Sequence, residues 1–344
     1  MFKKDPIQII PFRSYGTASH LYVKGRAIQD EGIDLAKTGF FNLLWNSWKR
    51  FETDKVKNAK LTLSLADGRT IETTTDSQGY FLIDAMVKDL MPLTDKEGWL
   101  HYSISFAEEF RGRKIQESNN FLGEVLIPSE EAKFGIISDI DDTIIHTGLT
   151  SRLKWRVVKN TIFKSAEKRI PFEGAAGFYT KLHHGKSGNN SNPIFYVSHS
   201  PWNLYSYLEL FLKVNDFPKG PILLRDFANP FTKIFQPSVK GEKPEKQKEI
   251  LNILKTYPQL PFILIGDSGE HDPDIYIELA EAHPERISAI YMRSVNHRRK
   301  MIRVKGLFKD YETVPVLLVE NSVAAIEHAR QMGFVAKRCK MERG

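Results

Sequence analysis

Asp139, Asp141 and Asp142 fall within four positions of one another in FGIISDIDDTIIHTG, residues 134–148, directly behind an apolar run and followed by Thr143. Carboxylates this close repel one another, and a bound cation is the first means of offsetting that to look for. Extended backbone puts positions two apart on one side. Asp139 and Asp141 can therefore leave a strand end together, one to attack an electrophile and the other to move protons. Asp142 should then point away, with Thr143 fixing the turn. The D-x-D start does not make an EF-hand, because Ile144 stands where that loop needs Gly and Thr150 where it needs Glu.

A second acidic pair follows another apolar run: PFILIGDSGEHDPDIY carries Asp267 and, five residues on, Asp272. Carboxylates from two neighbouring strand ends, with water and a phosphate oxygen, would complete the octahedral oxygen shell that Mg²⁺ prefers. The structural alternative for Asp267 is an N-cap on the next helix. Between the clusters come Ser198, closing IFYVSH, and Lys246 in KPEKQKEILNIL. A hydroxyl and an ammonium suit a phosphoryl group in transit, whose charge spreads over its equatorial oxygens. Alone, each is ordinary: a helix-capping Ser, a Lys on a solvated face. Their order along the chain makes them a set.

These residues need elements to hold them. From Phe134 onward the apolar runs FGIIS, PIFYVSH, PILLRD, PFILIGD, ISAIYMR and VPVLLVEN alternate with helical periodicity, as in NLYSYLELFL and KEILNILKTY. That texture predicts a parallel sheet with helices on both faces. Ligands of such sheets bind beyond the carboxyl ends of the strands, which is where SD, SHS, RD and GD fall. The first 130 residues read differently. LTLSLADGRTIETTT alternates at Leu61, Leu63 and Leu65 and turns at Asp67-Gly68; DSQGYFLID and LHYSISF add further short strands. These predict a small β-sandwich. Its one interruption is FFNLLWNSWKRF, a helical insertion near 39–52. The predicted division is thus 1–130 and 131–344, with a linker near 128–133 and a small basic cap or flap within 144–195.

Of 344 residues, 41% are hydrophobic and 26% charged, an ordinary soluble composition. No 18-residue apolar run and no leader pattern is seen, and Cys339 is the one cysteine. The expectation is a cytoplasmic protein without internal disulfide or thiolate zinc cluster. The formal charge of +7 is concentrated: residues 151–170 hold seven Lys/Arg against one Glu, and residues 293–309 hold seven against no acid. Such patches suggest an anionic partner, against the plainer reading of solvated helix faces.

The order D-x-D-x-T, Ser at a strand end, Lys, then G-D-x-x-x-x-D resembles the haloacid dehalogenase superfamily of phosphotransferases. More closely, SDIDDTI, RIPFEGAAGFYTKLH, YVSHSPWNLY and FILIGDSGEHDPDIY resemble the catalytic domain of the actin-patch-associated phosphatidate phosphatase family. PFRSYGT, VKGRAI and TDSQGYF are similar to the β-domain that precedes it in bacterial members. The resemblance implies a haloacid-dehalogenase-like (HAD-like) Rossmannoid fold. It makes Asp139 the nucleophile forming an aspartyl-phosphate, Asp141 the general acid/base, and Ser198 and Lys246 the phosphate binders. It gives Mg²⁺ to Asp139, the carbonyl of Asp141 and Asp267, with Asp272 either a further direct ligand or a support behind the ligands. The family usually has His-Lys where this chain reads Glu245-Lys246, so Lys243 and Lys248 stay open, as does Ser200 in place of Ser198. In cation-pumping relatives the position of Asp141 is Thr and the acyl-phosphate persists; an Asp there favours hydrolysis.

The expected substrate is phosphatidate, cleaved to diacylglycerol and phosphate. Residues 151–170 interleave Leu153, Trp155, Val157, Val158, Ile162 and Phe163 with cations, which suits peripheral contact with an anionic membrane. A soluble phosphoester remains an alternative substrate, and a non-catalytic anionic-lipid-binding module an alternative function. A nucleic-acid end phosphatase is disfavoured, since no nucleic-acid module is recognisable.

Overall fold

The structure, a computed structural model, describes residues 6–29, 55–109, 113–140, 174–188, 191–225, 245–268, 271–294 and 298–337. The chain divides into two compact units. The first comprises residues 1–128 with 201–209 and 224–242; the second comprises 129–200, 210–223 and 243–344. The predicted helical insertion near 39–52 lies outside the described residues, as does most of the predicted cap.

Eight strands build the first unit: β1 (Ile7–Pro11), β2 (Ser14–Thr17), β3 (His20–Gln29), β4 (Lys60–Leu65), β5 (Thr70–Thr74), β6 (Tyr80–Met86), β7 (Trp99–Phe106) and β8 (Phe121–Leu126). Hydrogen bonds link those expected as a sandwich into one mixed sheet of order β1-β3-β2-β8-β7-β4-β5, with β6 on β3. β2 runs parallel to β8, whereas β4 is antiparallel to both β5 and β7. The period of two in the sequence is the period of burial: Leu61, Leu63 and Leu65 face one core with Tyr102, Ile104 and Phe106 across the β4/β7 ladder. The β4/β5 hairpin closes as the Asp67-Gly68 signal predicts. Gly68 takes φ +89° and donates to the Leu65 carbonyl, while Leu65 donates to that of Arg69.

The second unit is a six-stranded sheet of β9 (Gly135–Ser138), β10 (Ile194–Pro201), β11 (Ile222–Arg225), β12 (Phe262–Asp267), β13 (Ile287–Arg293) and β14 (Val316–Val319). Its order is β11-β10-β9-β12-β13-β14, and β9 runs parallel to both β10 and β12, as β13 does to β12 and β14. Between strands run α1 (Ala175–His184), α2 (Tyr205–Val214), α3 (Glu245–Thr256), α4 (Asp272–Ala282) and α5 (Arg298–Leu307), and α6 (Ser322–Gln331) follows the last. β9 and β12 are buried at every position, which is why their sequences stay apolar up to the Ser138 and Asp267 that end them. Connections leave β9 toward one sheet edge and β12 toward the other, so the direction of winding reverses between these two neighbours. Right-handed crossovers then put α1 on one face and α3, α4 and α5 on the other. Side-chain contacts agree, with α3 meeting α4 and α4 meeting α5. The crevice at such a reversal, beyond the carboxyl ends, is where open α/β sheets bind ligands. Among the described residues no helix is long and apolar enough to cross a membrane.

Candidate active site

Asp139 is the first residue past β9, and the ladder still holds its backbone: its N–H donates to the Ile265 carbonyl of β12 at 2.9 Å. Asp267 ends β12 itself. Since Ser138 pairs with Ile265, Asp139 and Asp267 emerge from adjacent strands one residue out of step. Asp272 is the first residue of α4, where the positive end of the helix favours a carboxylate. Its Oδ2 lies 3.4 Å from the Asp267 N–H, which ties the helix start back to the strand end. One oxygen from each of the three acids falls within 4.8 Å of the others, and all three residues are buried.

Such a cluster needs a counter-charge, and α3 brings one. Lys246 Nζ donates to Asp139 Oδ1 at 2.7 Å and to Asp272 Oδ1 at 2.5 Å. Burial pushes the pKa of this ammonium down, but the Asp139 and Asp272 carboxylates outweigh it and hold the pKa well above the ordinary 10.5. Three carboxylates against one ammonium still leave two negative charges in a buried space. Hard oxygen donors grouped in this way form a site able to hold a metal ion.

Of the two described lysines that the sequence leaves open, Lys246 is the one bonded to the acids. Lys248 is exposed, 3.9 Å from Glu245 Oε2, and Lys243 lies outside the described residues. Ser198 is buried on β10, two positions beyond Tyr196, the partner of Ser138, so it sits at the level where the chain leaves β9. Its Oγ accepts the Ser200 N–H at 2.8 Å, and Ser200, also buried, belongs to the same strand. Asp141, Asp142, Thr143 and the basic segment 151–170 are outside the described residues.

Three supporting residues lie within the quoted motifs, but the sequence reading gave them no role of their own. A Cβ on Gly266 would stand 2.5 Å from Asp272 Oδ2 and 2.7 Å from the Tyr276 ring, so only Gly lets α4 approach β12 closely enough to deliver Asp272. The signal was there, since a Gly interrupting an apolar strand marks a close approach. Tyr276 donates to the Ile265 carbonyl at 3.0 Å, with Lys246 Nζ 5.8 Å from its ring centre. Burial, then the Asp272 charge, raise its phenol well above 10, so it stays neutral. Ser138 packs behind Asp139 with its Oγ 2.6 Å from the Tyr179 hydroxyl.

This arrangement defines an α/β unit with a buried acidic site, able to hold a metal ion, at the reversal of its strand order. Residues 134–294, which contain all five described site residues, match the model of the family described as phosphatidate phosphatase APP1, catalytic domain, and this part of the chain belongs to that family. Phosphatidate phosphatase APP1 of Saccharomyces cerevisiae is 32% identical over 250 residues, covering 71% of this chain and 39% of that protein. An uncharacterized protein of Schizosaccharomyces pombe is 27% identical over 248 residues, covering 72% of this chain and 37% of its own. The chain thus spans less than half the length of either relative.

Proposed function

We propose that the chain is a Mg²⁺-dependent phosphomonoester phosphatase of HAD-like fold that hydrolyses phosphatidate through an aspartyl-phosphate on Asp139. The observation that carries this reading is the buried Asp139–Lys246–Asp272 bridge beside Asp267, which groups three carboxylates and a cation as such a reaction would need them. The name of the yeast relative supports the substrate.

In this mechanism Lys246 and Ser198 bind the phosphoryl oxygens and turn the phosphorus toward Asp139. An Asp139 oxygen forms the new P–O bond as the ester oxygen leaves, and Asp141 gives that oxygen its proton. Asp141 then takes a proton from water, whose oxygen attacks the acyl-phosphate, releasing phosphate and restoring the Asp139 carboxylate. Mg²⁺ held by Asp139, Asp267 and Asp272 would neutralise the charge that otherwise keeps an anionic substrate from an anionic nucleophile. Lys246 remains protonated throughout, so it acts as a charge and not as a base.

The test is phosphate release with Mg²⁺ from phosphatidate in mixed micelles, beside short-chain phosphatidate and soluble phosphomonoesters, with Asp139→Asn as the blank. Release from micellar phosphatidate that EDTA abolishes is the expected result. Release from soluble esters alone would keep the mechanism and discard the lipid. No release from any ester would overturn the enzymatic reading in favour of a lipid-binding module.

A further inference from the structure

The sequence expectation attached membrane contact to residues 151–170, but a second basic segment, residues 293–309, is described at 293–294 and from residue 298 onward. It contains α5, sequence RRKMIRVKGL, within seventeen residues that hold seven Lys/Arg and no acid. The helix is anchored on its inner side. Val304 is fully buried, and the Met301 sulfur accepts from Ser268 Oγ at 3.2 Å and from Ser294 Oγ at 3.3 Å. Ser268 directly follows Asp267. Arg303 Nη2 lies 2.5 Å from both carboxylate oxygens of Asp274, two residues beyond Asp272. Two separate contacts therefore fix α5 to the segments that carry two of the site's acids.

The outer side has a different character. Arg299 and Lys305 are exposed, and between them Ile302 is 62% exposed. A lone exposed aliphatic residue is unremarkable, and so is a solvated basic helix face. Their combination on one helix face is selective: cations attract an anionic surface, while a branched aliphatic gains only where water is excluded. A nucleic-acid backbone would use the cations and leave Ile302 wet. An anionic bilayer uses both, with headgroups meeting Arg299 and Lys305 and the acyl boundary taking Ile302.

We infer that the outward face of α5, centred on Arg299, Ile302 and Lys305, docks the protein on an anionic phospholipid surface. The inference rests on the phosphatidate reading and extends it. Because α5 contacts the neighbours of Asp267 and Asp272, docking there holds the bilayer within about one helix diameter, roughly 10 Å, of the acidic crevice. A two-tailed substrate then need not leave the membrane completely to reach Asp139.

The test is co-sedimentation of the full chain with vesicles of phosphatidylcholine alone and of phosphatidylcholine with phosphatidylserine. The serine lipid supplies charge without being the substrate, so docking is read apart from substrate capture. The expected result is binding to the charged vesicles only. Both Ile302→Asp and the double variant Arg299→Glu/Lys305→Glu should lower that binding roughly tenfold or more. Phosphate release from a soluble ester should be unchanged in both variants, while release from vesicular phosphatidate falls with the binding. Variants that bind charged vesicles as the wild type does would overturn the inference, as would wild-type binding to duplex DNA with none to vesicles. If α5-dependent binding appears but no ester is hydrolysed, the catalytic reading fails and the docking surface stands.

Discussion

Aspartates at strand ends do opposite things in the two units. In the first unit, DSQGY and DKEGW are the same turn built twice. Asp76 Oδ1 accepts the N–H groups of Gln78 and Tyr80, and Asp95 Oδ1 accepts those of Glu97 and Trp99. Gly79 and Gly98 follow at φ +80° and +83°, donating to the carbonyls of Asp76 and Asp95. Each carboxylate is exposed and accepts from backbone donors within four residues of itself. In the second unit Asp139, Asp267 and Asp272 are buried and come from three separate segments, and Asp139 and Asp272 share a lysine from a fourth. A turn aspartate lowers the energy of its own backbone. The site aspartates raise the energy of the metal-free fold by mutual repulsion, and such a cost is retained where it prepares a binding event.

The comparison breaks most sharply at Asp139. Asp139→Asn should lower phosphate release by on the order of 10³-fold or more, yet raise stability in EDTA, because the amide oxygen still accepts from Lys246 while one of three like charges is gone. Activity assays and urea unfolding of the same variant check both halves. A variant that turns over at the wild-type rate removes Asp139 from the chemistry, and one that unfolds more easily puts it with the turn aspartates.

Lys246→Met should give the largest loss of stability. It strips the cation from two buried carboxylates, a change worth about 3–5 kcal/mol, visible as a lower urea midpoint in EDTA that Mg²⁺ partly restores. The sign with pH follows from the raised pKa. The ammonium's contribution is complete below the unfolded value of 10.5 and is lost only as pH rises through the higher folded one. Wild-type stability should therefore not decline on account of Lys246 below about pH 10. A decline at neutral pH that Lys246→Met abolishes would contradict this.

Gly266→Ala tests positioning without touching any charge. The added methyl group pushes on Asp272 Oδ2 and the Tyr276 ring. Expected effects are a 10- to 100-fold weaker apparent Mg²⁺ affinity, measured by titrating activity, of the order seen when ligand-orienting neighbours are lost. Unchanged Mg²⁺ dependence would mean that α4 can retreat at no cost and that the Gly is incidental.

Much of this site could be read from residue order alone, and the parts that could not have physical reasons. Apolar runs ending in Asp identify strands and their carboxyl ends, but not which ends are neighbours; that β9 lies beside β12, over a hundred residues later, is a matter of topology. That Lys246 rather than Lys248 would be buried was in fact legible. Lys246 is in phase with buried Ile250, Ile253 and Leu254 along α3, at spacings of four, seven and eight, while Lys248 aligns with exposed Lys255. In the first unit the Leu61, Leu63, Leu65 alternation carried through to burial because one face of each strand meets the core. Gly266 was harder, because a glycine's role depends on what approaches it, and here that is a carboxylate six residues further on.

The smallest expected effect closes the comparison from the other side. Asp95→Ala removes the acceptor for two backbone N–H groups at an exposed turn, where water replaces part of what is lost, so stability should fall by only about 1 kcal/mol at neutral pH. Burial pushes the Asp95 carboxyl up, but the Trp99 and Glu97 amides and His101 prevail and hold it below its ordinary value. Its contribution is thus present above the unfolded pKa and fades as pH falls through the folded one, so wild type and Asp95→Ala should converge in strong acid. Asp95→Asn, which keeps the acceptor oxygen, should lose less than the alanine variant. Phosphate release should be unchanged in both, since the Asp95 carboxylate bonds its own turn and His101 within the first unit. A tenfold loss of activity in Asp95→Ala, with folding intact, would show that the first unit's turns act on the chemistry, and the division between loop-serving and site-forming aspartates would fail.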